Sequence, residues 1–232
     1  MSGDKPRSAK SGASKPAFSL PDFGIERELL REGYITIAGI DEAGRGSIAG
    51  PLSVGCAAYS GVFIENPPQD ILLINDSKKL SHRKRLAAFN YIKARALFVM
   101  VQLVPHSVID ELNVNGATKF AIERLISEMP VAPDILLLDG SFSFDLTVPY
   151  MSIKSGDARS LSIASASIAA KVKRDEIMER MDAFYQGYGL AANKGYPTRA
   201  HIKAVFSDGP SPVHRKTYEP LKGILSGENR KS

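Results

Sequence analysis

The sequence predicts an α/β domain built on a mixed sheet flanked by helices, and three observations carry that expectation. Short apolar, β-branched runs alternate with segments of helical spacing, the order that gives sheets covered by helices. A long helical segment late in the chain has a half rich in alanine and serine, suited to lying close against a sheet. With 232 residues, the chain can bury a substantial core without covalent staples.

The elements follow in order. Residues 25–31 form a short helix after Pro21 and Asp22. Residues 34–40 read as a strand, because Ile35, Thr36, Ile37 and Ile40 are β-branched. A glycine-rich linker spans 41–51, and 52–59 is a second strand of small and apolar residues. Ser81 caps a helix that runs to about 94, and 96–104 is a strong strand. Two helices follow at 107–112 and 117–128, ended by Pro130 and Pro133. The continuous apolar run 135–138 is a buried strand, and 147–153 is another. The long helix covers 160–185, with Ala164, Ser165, Ala166, Ser167, Ala169 and Ala170 in its first half.

Composition narrows the function classes. The single cysteine, Cys56, excludes an intramolecular disulfide or a cysteine zinc cluster and suits a reducing compartment, so a cytoplasmic location is expected. No apolar run reaches the roughly 18 residues of a membrane span. Residues 1–18 lack the apolar core of a secretory signal; with Lys5, Arg7, Lys10 and Lys15 against Asp4 they read as a disordered basic tail. Residues 227–232 read as a frayed end, which leaves one catalytic-size unit over 19–226, its part from about 186 onward helical. A net charge of +5 permits a nucleic-acid partner without arguing for one alone.

Acidic residues stand where strands end. Asp41 and Glu42 follow the first strand directly, and Asp139 follows the run 135–138. Open α/β sheets place ligands at such carboxyl ends, and carboxylates gathered there need a cation between them. A hard divalent ion such as Mg²⁺ takes one or two carboxylates and reaches phosphate oxygens with the rest of its shell. Asp139-Gly140 alone could equally be a turn. The adjacent pair Asp41-Glu42 is harder to assign to a turn, which needs one acid. Gly44-Arg45-Gly46-Ser47-Ile48-Ala49 also satisfies a dinucleotide-binding fingerprint. That reading fails on context: Gly50-Pro51 leads into a strand and not a helix, and two acids before the loop would repel a pyrophosphate.

The sequence resembles ribonuclease HII, the type 2 ribonuclease H. The residues that carry the resemblance are Gly39 to Gly46, Asn75-Asp76-Ser77-Lys78-Lys79-Leu80, Leu138-Asp139-Gly140 and Gly156-Asp157. The helix block Ile163 to Val172 with Arg174-Asp175 follows, then Gly195-Tyr196-Pro197-Thr198 and Ser211-Pro212-Val213-His214-Arg215. The match runs in order from about 34 to 221, with Ser47-Ile48 where the family commonly has Pro-Leu. It implies a ribonuclease H-like mixed sheet with a helical C-terminal extension.

The resemblance further implies a catalytic, metal-holding set of Asp41, Glu42, Asp139 and Asp157. From the residues alone, Asp145 and Asp175 rival Asp157, which could instead cap the long helix. Two Mg²⁺ or Mn²⁺ ions in the active complex would activate water and stabilise the leaving 3′ oxygen. Gly44, Arg45 and Gly46 would read the 2′-hydroxyl of a ribonucleotide, largely through backbone groups, and Tyr196 would pack on the next sugar. Lys171 either faces the substrate phosphate or pairs with Asp175 four positions on. Lys78, Lys79, Arg83, Lys84 and Arg85 form one basic run; Lys194, Arg199, Lys203, Arg215, Lys216 and Lys222 form another, and both fit phosphate tracking. His82, His106, His201 and His214 read mostly as surface residues or caps. The expected activity is cleavage of RNA in RNA/DNA hybrid duplexes and on the 5′ side of single ribonucleotides in duplex DNA, leaving 5′-phosphate and 3′-hydroxyl ends. A monomer with no membrane association is expected. The rivals are another metal nuclease on the same fold and a non-catalytic hybrid-binding module.

Overall fold

The computed structural model describes residues 20–226. The expected tails at 1–18 and 227–232 lie outside the described residues.

Helix α1 (Gly24–Arg31) leads into β1 (Ile37–Ala43), which turns back through a loop into β2 (Leu52–Ala58). The short α2 (Gly61–Glu65) and α3 (His82–Arg95) precede β3 (Phe98–Val104). Helix α4 (His106–Glu128), β4 (Ile135–Asp139) and β5 (Tyr150–Ile153) follow, then the long α5 (Leu161–Phe184). Three short helices end the described residues: α6 (Leu190–Asn193), α7 (Arg199–Asp208) and α8 (Leu221–Ser226). The sheet order is β3-β2-β1-β4-β5. Strands β1, β2 and β3 pair antiparallel, while β4 runs parallel to both β1 and β5, so the sheet is mixed as expected.

Alternation along each strand splits the core in two. Ala38 and Ile40 of β1, with Leu136 and Leu138 of β4, pack against Ile109, Ala117, Ala121, Ile122 and Leu125 of α4. Ile37, Ile135, Leu137 and Ile153 face the other way and meet Ile163 of α5 and Leu29 of α1. Helix α5 lies almost directly on the sheet because neither side interposes bulk. A Cβ on Gly39 would stand 2.2 Å from the Ser162 carbonyl carbon, and one on Gly55 would stand 2.1 Å from the Ala166 oxygen. The small residues read in the sequence therefore meet glycines across the contact.

Several boundaries differ from expectation. Strand β1 continues through both acids to Ala43, because Asp41, Glu42 and Ala43 pair with Gly55, Val54 and Ser53 of β2. The expected strand at 147–153 shortens to Tyr150–Ile153, since Pro149 has no N–H to give and only its carbonyl accepts, from Leu136. The two helices read at 107–112 and 117–128 share a continuous span broken at Asn113, whose φ is 57°. The Asn113 side-chain oxygen accepts from the N–H groups of Asn115 and Gly116, restarting the helix. The region after 186 is helical, in three pieces.

Candidate active site

Parallel pairing of β1 and β4 sets Ile40 opposite Leu138, so the next residues, Asp41 within β1 and Asp139 at the end of β4, stand side by side. Both side chains share the parity of Gly39 and Leu137 and so point to the α5 face. Asp157 reaches the same place from a 3-10 turn, Gly156–Ala158, just before α5. Oxygens of Asp41, Asp139 and Asp157 all lie within 4.8 Å of one another. Asp157 does not cap α5; Ser160 does, accepting from the Ile163 N–H at 3.1 Å. Asp157 is thereby left to face the other two acids. Glu42, one residue past Asp41, has the opposite parity and leans away, its carboxylate 3.6 Å from the Arg45 guanidinium.

The cluster is electrostatically costly as it stands. Burial, the charge of Glu42 and that of Asp139 hold the Asp41 carboxyl well above the usual carboxylate range. Burial also raises Glu42, to about 7, although Arg45 works against it. Asp139 is raised by burial and by Asp157, while the Gly156 N–H, donating to it at 2.7 Å, holds it down. Lys78 places its ammonium 3.5 Å from Asp157. Burial works against that charge, but Asp157, Asp41, Asp76 and Asp139 together outweigh it and raise the lysine. Three convergent all-oxygen side chains, with the proton affinities of Asp41 and Asp139 raised, fit a hard divalent cation, with Asp41, Asp139 and Asp157 as holders and Glu42 within reach of the same field.

The glycine loop borders this cluster. Gly44 has φ +90°, and a Cβ there would sit 1.9 Å from the Arg174 Nε, so both backbone shape and packing demand glycine. Gly46 is exposed with nothing within 4 Å of where its Cβ would be, which leaves its backbone open to a ligand. Arg45 donates to the Asn115 side chain and lies 5.5 Å from the Phe142 ring centroid. Tyr196 is half-buried, its ring 5.8 Å from the Lys171 ammonium and 5.5 Å from the Arg174 guanidinium.

The lysines divide. Lys78 joins the acidic cluster, whereas Lys79 pairs with Asp76 at 3.4 Å. Lys171 pairs with Asp175 at 2.8 Å, and Arg85 reaches the same carboxylate at 3.3 Å. That makes Asp175 a structural acid, in a partly buried network and not on a helix surface. Three cations counted in the basic runs are committed elsewhere. Arg215 is fully buried, Arg85 is held by Asp175, and Lys194 meets Glu179 at 2.7 Å.

Two histidines correct the surface reading outright. His201 and His214 are buried, their Nε2 atoms 3.1 Å apart. The His201 Nδ1–H donates to the Tyr196 carbonyl, and the Ser211 N–H donates to His214 Nδ1, so the proton between the rings belongs to His214. Burial and His201 lower His214 to about 4, in keeping with two neutral rings. This pair, Arg174 and Arg215 were not legible as site residues. For Arg174 a signal existed: it falls four residues after Ala170, on the sheet-facing stripe of α5.

A model of the family described as Ribonuclease HII matches residues 38–220. The ribonuclease HII of Acholeplasma laidlawii (strain PG-8A) is 41% identical over 208 residues, covering 89% of this chain and 98% of that one. The crystal structure of ribonuclease H2 from Pyrococcus horikoshii OT3 superimposes with a TM-score of 0.71 at 25% identity, over 84% of this chain and all of that one. Bst-RNase HIII, solved in complex with Mn²⁺, shares the fold at a TM-score of 0.60 and 17% identity, over 85% of this chain and 71% of that one. With Asp41, Asp139 and Asp157 gathered from β1, β4 and the turn before α5, the chain belongs to the ribonuclease HII family and is a metal-dependent nuclease.

Proposed function

We propose that this protein hydrolyses RNA in RNA/DNA hybrids and cuts on the 5′ side of single ribonucleotides embedded in duplex DNA, leaving 5′-phosphate and 3′-hydroxyl ends. The observation that carries this reading is the juxtaposition of the Asp41, Asp139 and Asp157 cluster with the glycine loop, joined by the Glu42–Arg45 pair. Two Mg²⁺ or Mn²⁺ ions, when bound, supply a water activated at neutral pH and charge stabilisation for the leaving oxygen. Asp41, Glu42, Asp139 and Asp157 would hold them, and the raised proton affinities of Asp41, Glu42 and Asp139 mean that cation binding would be coupled to proton release.

Gly44 and Gly46 bring the chain against the sugar, where backbone groups pair with a 2′-hydroxyl that both donates and accepts. Arg45 adds a guanidinium beside a phosphate, and Tyr196 offers a ring face to the next sugar. Lys78 and the exposed Arg83, Lys84, Arg199 and Lys203 follow the duplex backbone. All of these groups come from one copy of the chain, which acts as a monomer. The test is cleavage of a duplex with one ribonucleotide, assayed with Mg²⁺, with Mn²⁺ and with chelator. Metal-dependent incision 5′ of the ribonucleotide is expected; an intact duplex alongside a cleaved continuous hybrid would confine the activity to hybrids.

A further inference from the structure

Two arginines lie beneath the glycine loop with no carboxylate paired to either among the described residues. Both are fully buried. Arg174 donates from Nε to the Pro51 carbonyl at 2.9 Å, from Nη2 to Ala49 at 3.2 Å and from Nη1 to Lys194 at 2.7 Å. Arg215 donates from Nε and Nη2 to the Gly50 carbonyl, each at 3.1 Å, and from Nη1 to the Arg45 carbonyl at 3.0 Å. A buried charge must be compensated, and here backbone carbonyls accept all of the hydrogen bonds that the two side chains donate. Four of those five carbonyls belong to residues 45–51, the stretch that begins within the recognition residues 44–46 of the proposed function and leads from them to β2.

The same groups tie that stretch to the other half of the substrate surface. Arg174 bonds the carbonyl two residues before Tyr196 and carries the tyrosine ring 5.5 Å from its guanidinium. Gly44 rests on its Nε with no room for a Cβ. The N–H groups of Ile48 and Arg215 close the join, to the carbonyls of Gly195 at 2.8 Å and Ile48 at 2.8 Å. The loop follows β1, whereas Tyr196 and Arg215 come from the C-terminal helical part, so nothing in local sequence holds them in register.

We propose that Arg174 and Arg215 are specificity-determining positioning residues: as a pair of buried forks they fix the loop's carbonyls, and through Lys194 the position of Tyr196, at the spacing that reads one ribonucleotide. This rests on the proposed function. Neither arginine touches substrate. A lysine keeps the charge but offers a point donor that cannot hold the three carbonyls of Arg174, or the two of Arg215, in fixed directions. A continuous hybrid presents many 2′-hydroxyls and alternative registers, whereas a single ribonucleotide presents one, so loss of spacing falls hardest on the latter.

The test measures kcat/KM for wild type, Arg174→Lys, Arg215→Lys and Tyr218→Phe on both substrates, with Mg²⁺ affinity by titration calorimetry. Each lysine variant is expected to lose about tenfold more on the single-ribonucleotide duplex than on the continuous hybrid, with Mg²⁺ affinity kept within about twofold. The Tyr218 hydroxyl donates to the Arg45 carbonyl at 3.0 Å, the acceptor that Arg215 also uses. Its removal takes no charge away and should move the substrate ratio the same way by about threefold. That milder variant decides the matter if the lysine variants do not fold. Equal losses on both substrates, an unchanged ratio, or a parallel fall in Mg²⁺ affinity overturns the inference. A wild-type protein that cuts neither substrate removes the proposed function and the inference together; one that cuts both while the ratio stays fixed removes the inference alone.

Discussion

Asp139 shows how one side chain's worth depends on its neighbours. It is only partly buried, yet it stands between Asp41 and Asp157 and takes its orientation from the Gly156 N–H. Asp139→Asn keeps the shape and one acceptor but removes a charge from the set that would hold cations. Cleavage should fall by at least about a thousandfold, the scale lost when an electrostatic catalytic contact goes, while duplex binding persists; near-normal turnover would contradict the carboxylate assignment. Glu42 gives a second measurement. Its folded carboxyl titrates at about 7 against 4.5 for the free group, so the folded state binds more protons between those values. The contribution of Glu42 to metal-free stability is therefore fully present below about pH 4.5 and is lost as pH rises through 7, by at most about 3–4 kcal/mol at 1.36 kcal/mol per unit. Mg²⁺ should raise the melting temperature more at pH 8 than at pH 5; an equal rise at both would mean that the cation does not replace protons at this site. The acids at strand ends were legible because Asp41-Glu42 and Asp139 interrupt apolar runs. That Glu42 would turn from the other three was not, since it depends on β1 continuing past Asp41 and so on pairing with β2. Asp157 was fixed only by the family motif, because a lone acid before a helix ordinarily reads as a cap.

At the scale of elements, β-branched and apolar runs made β1, β2, β3 and β4 legible, and the alanine and serine content of α5 foretold its close approach. What propensity could not show was which residues would meet. Gly39 and Gly55 look like strand breakers in isolation, but they are where α5 touches the sheet. The expected consequence is a contrast between two glycines. Gly55→Ala sets a methyl 2.1 Å from the Ala166 carbonyl oxygen, a backbone atom that cannot yield cheaply. It should cost about 1–3 kcal/mol in urea unfolding, as overpacking does. Gly46→Ala meets nothing within 4 Å and should leave the unfolding midpoint within error while reducing cleavage of a single-ribonucleotide duplex. A Gly55→Ala protein as stable as wild type would mean that α5 can lift from the sheet. The short α6, α7 and α8 were read only as a helical region, because their stability comes from buried partners such as His201 with His214 and not from helix length.

Across the whole molecule, charge counting and folding give different answers about where a duplex would lie. The net charge of +5 is modest, and the two basic runs looked uniform along the sequence. Folding sorts them. Arg85 and Arg215 turn inward to Asp175 and to loop carbonyls, and Lys194 is held by Glu179. Lys78, Lys79, Arg83, Lys84, Arg199, Lys203, Lys216 and Lys222 stay exposed. Only exposed cations can replace condensed counterions on a phosphate backbone, and each phosphate neutralised contributes roughly one unit to the slope of log affinity against log salt. Arg199→Ala with Lys203→Ala removes two exposed charges one turn apart on α7 and should flatten that slope by about one to two units. Lys78→Ala with Lys79→Ala should do the same. Lys194→Ala, which removes a side chain largely covered where it meets Glu179, should leave the slope unchanged although it too takes away a basic residue. If all three proteins share the wild-type slope, the exposed runs are ordinary solvated faces and the duplex is held elsewhere; if Lys194→Ala flattens it as much as the others, charge number and not placement governs binding.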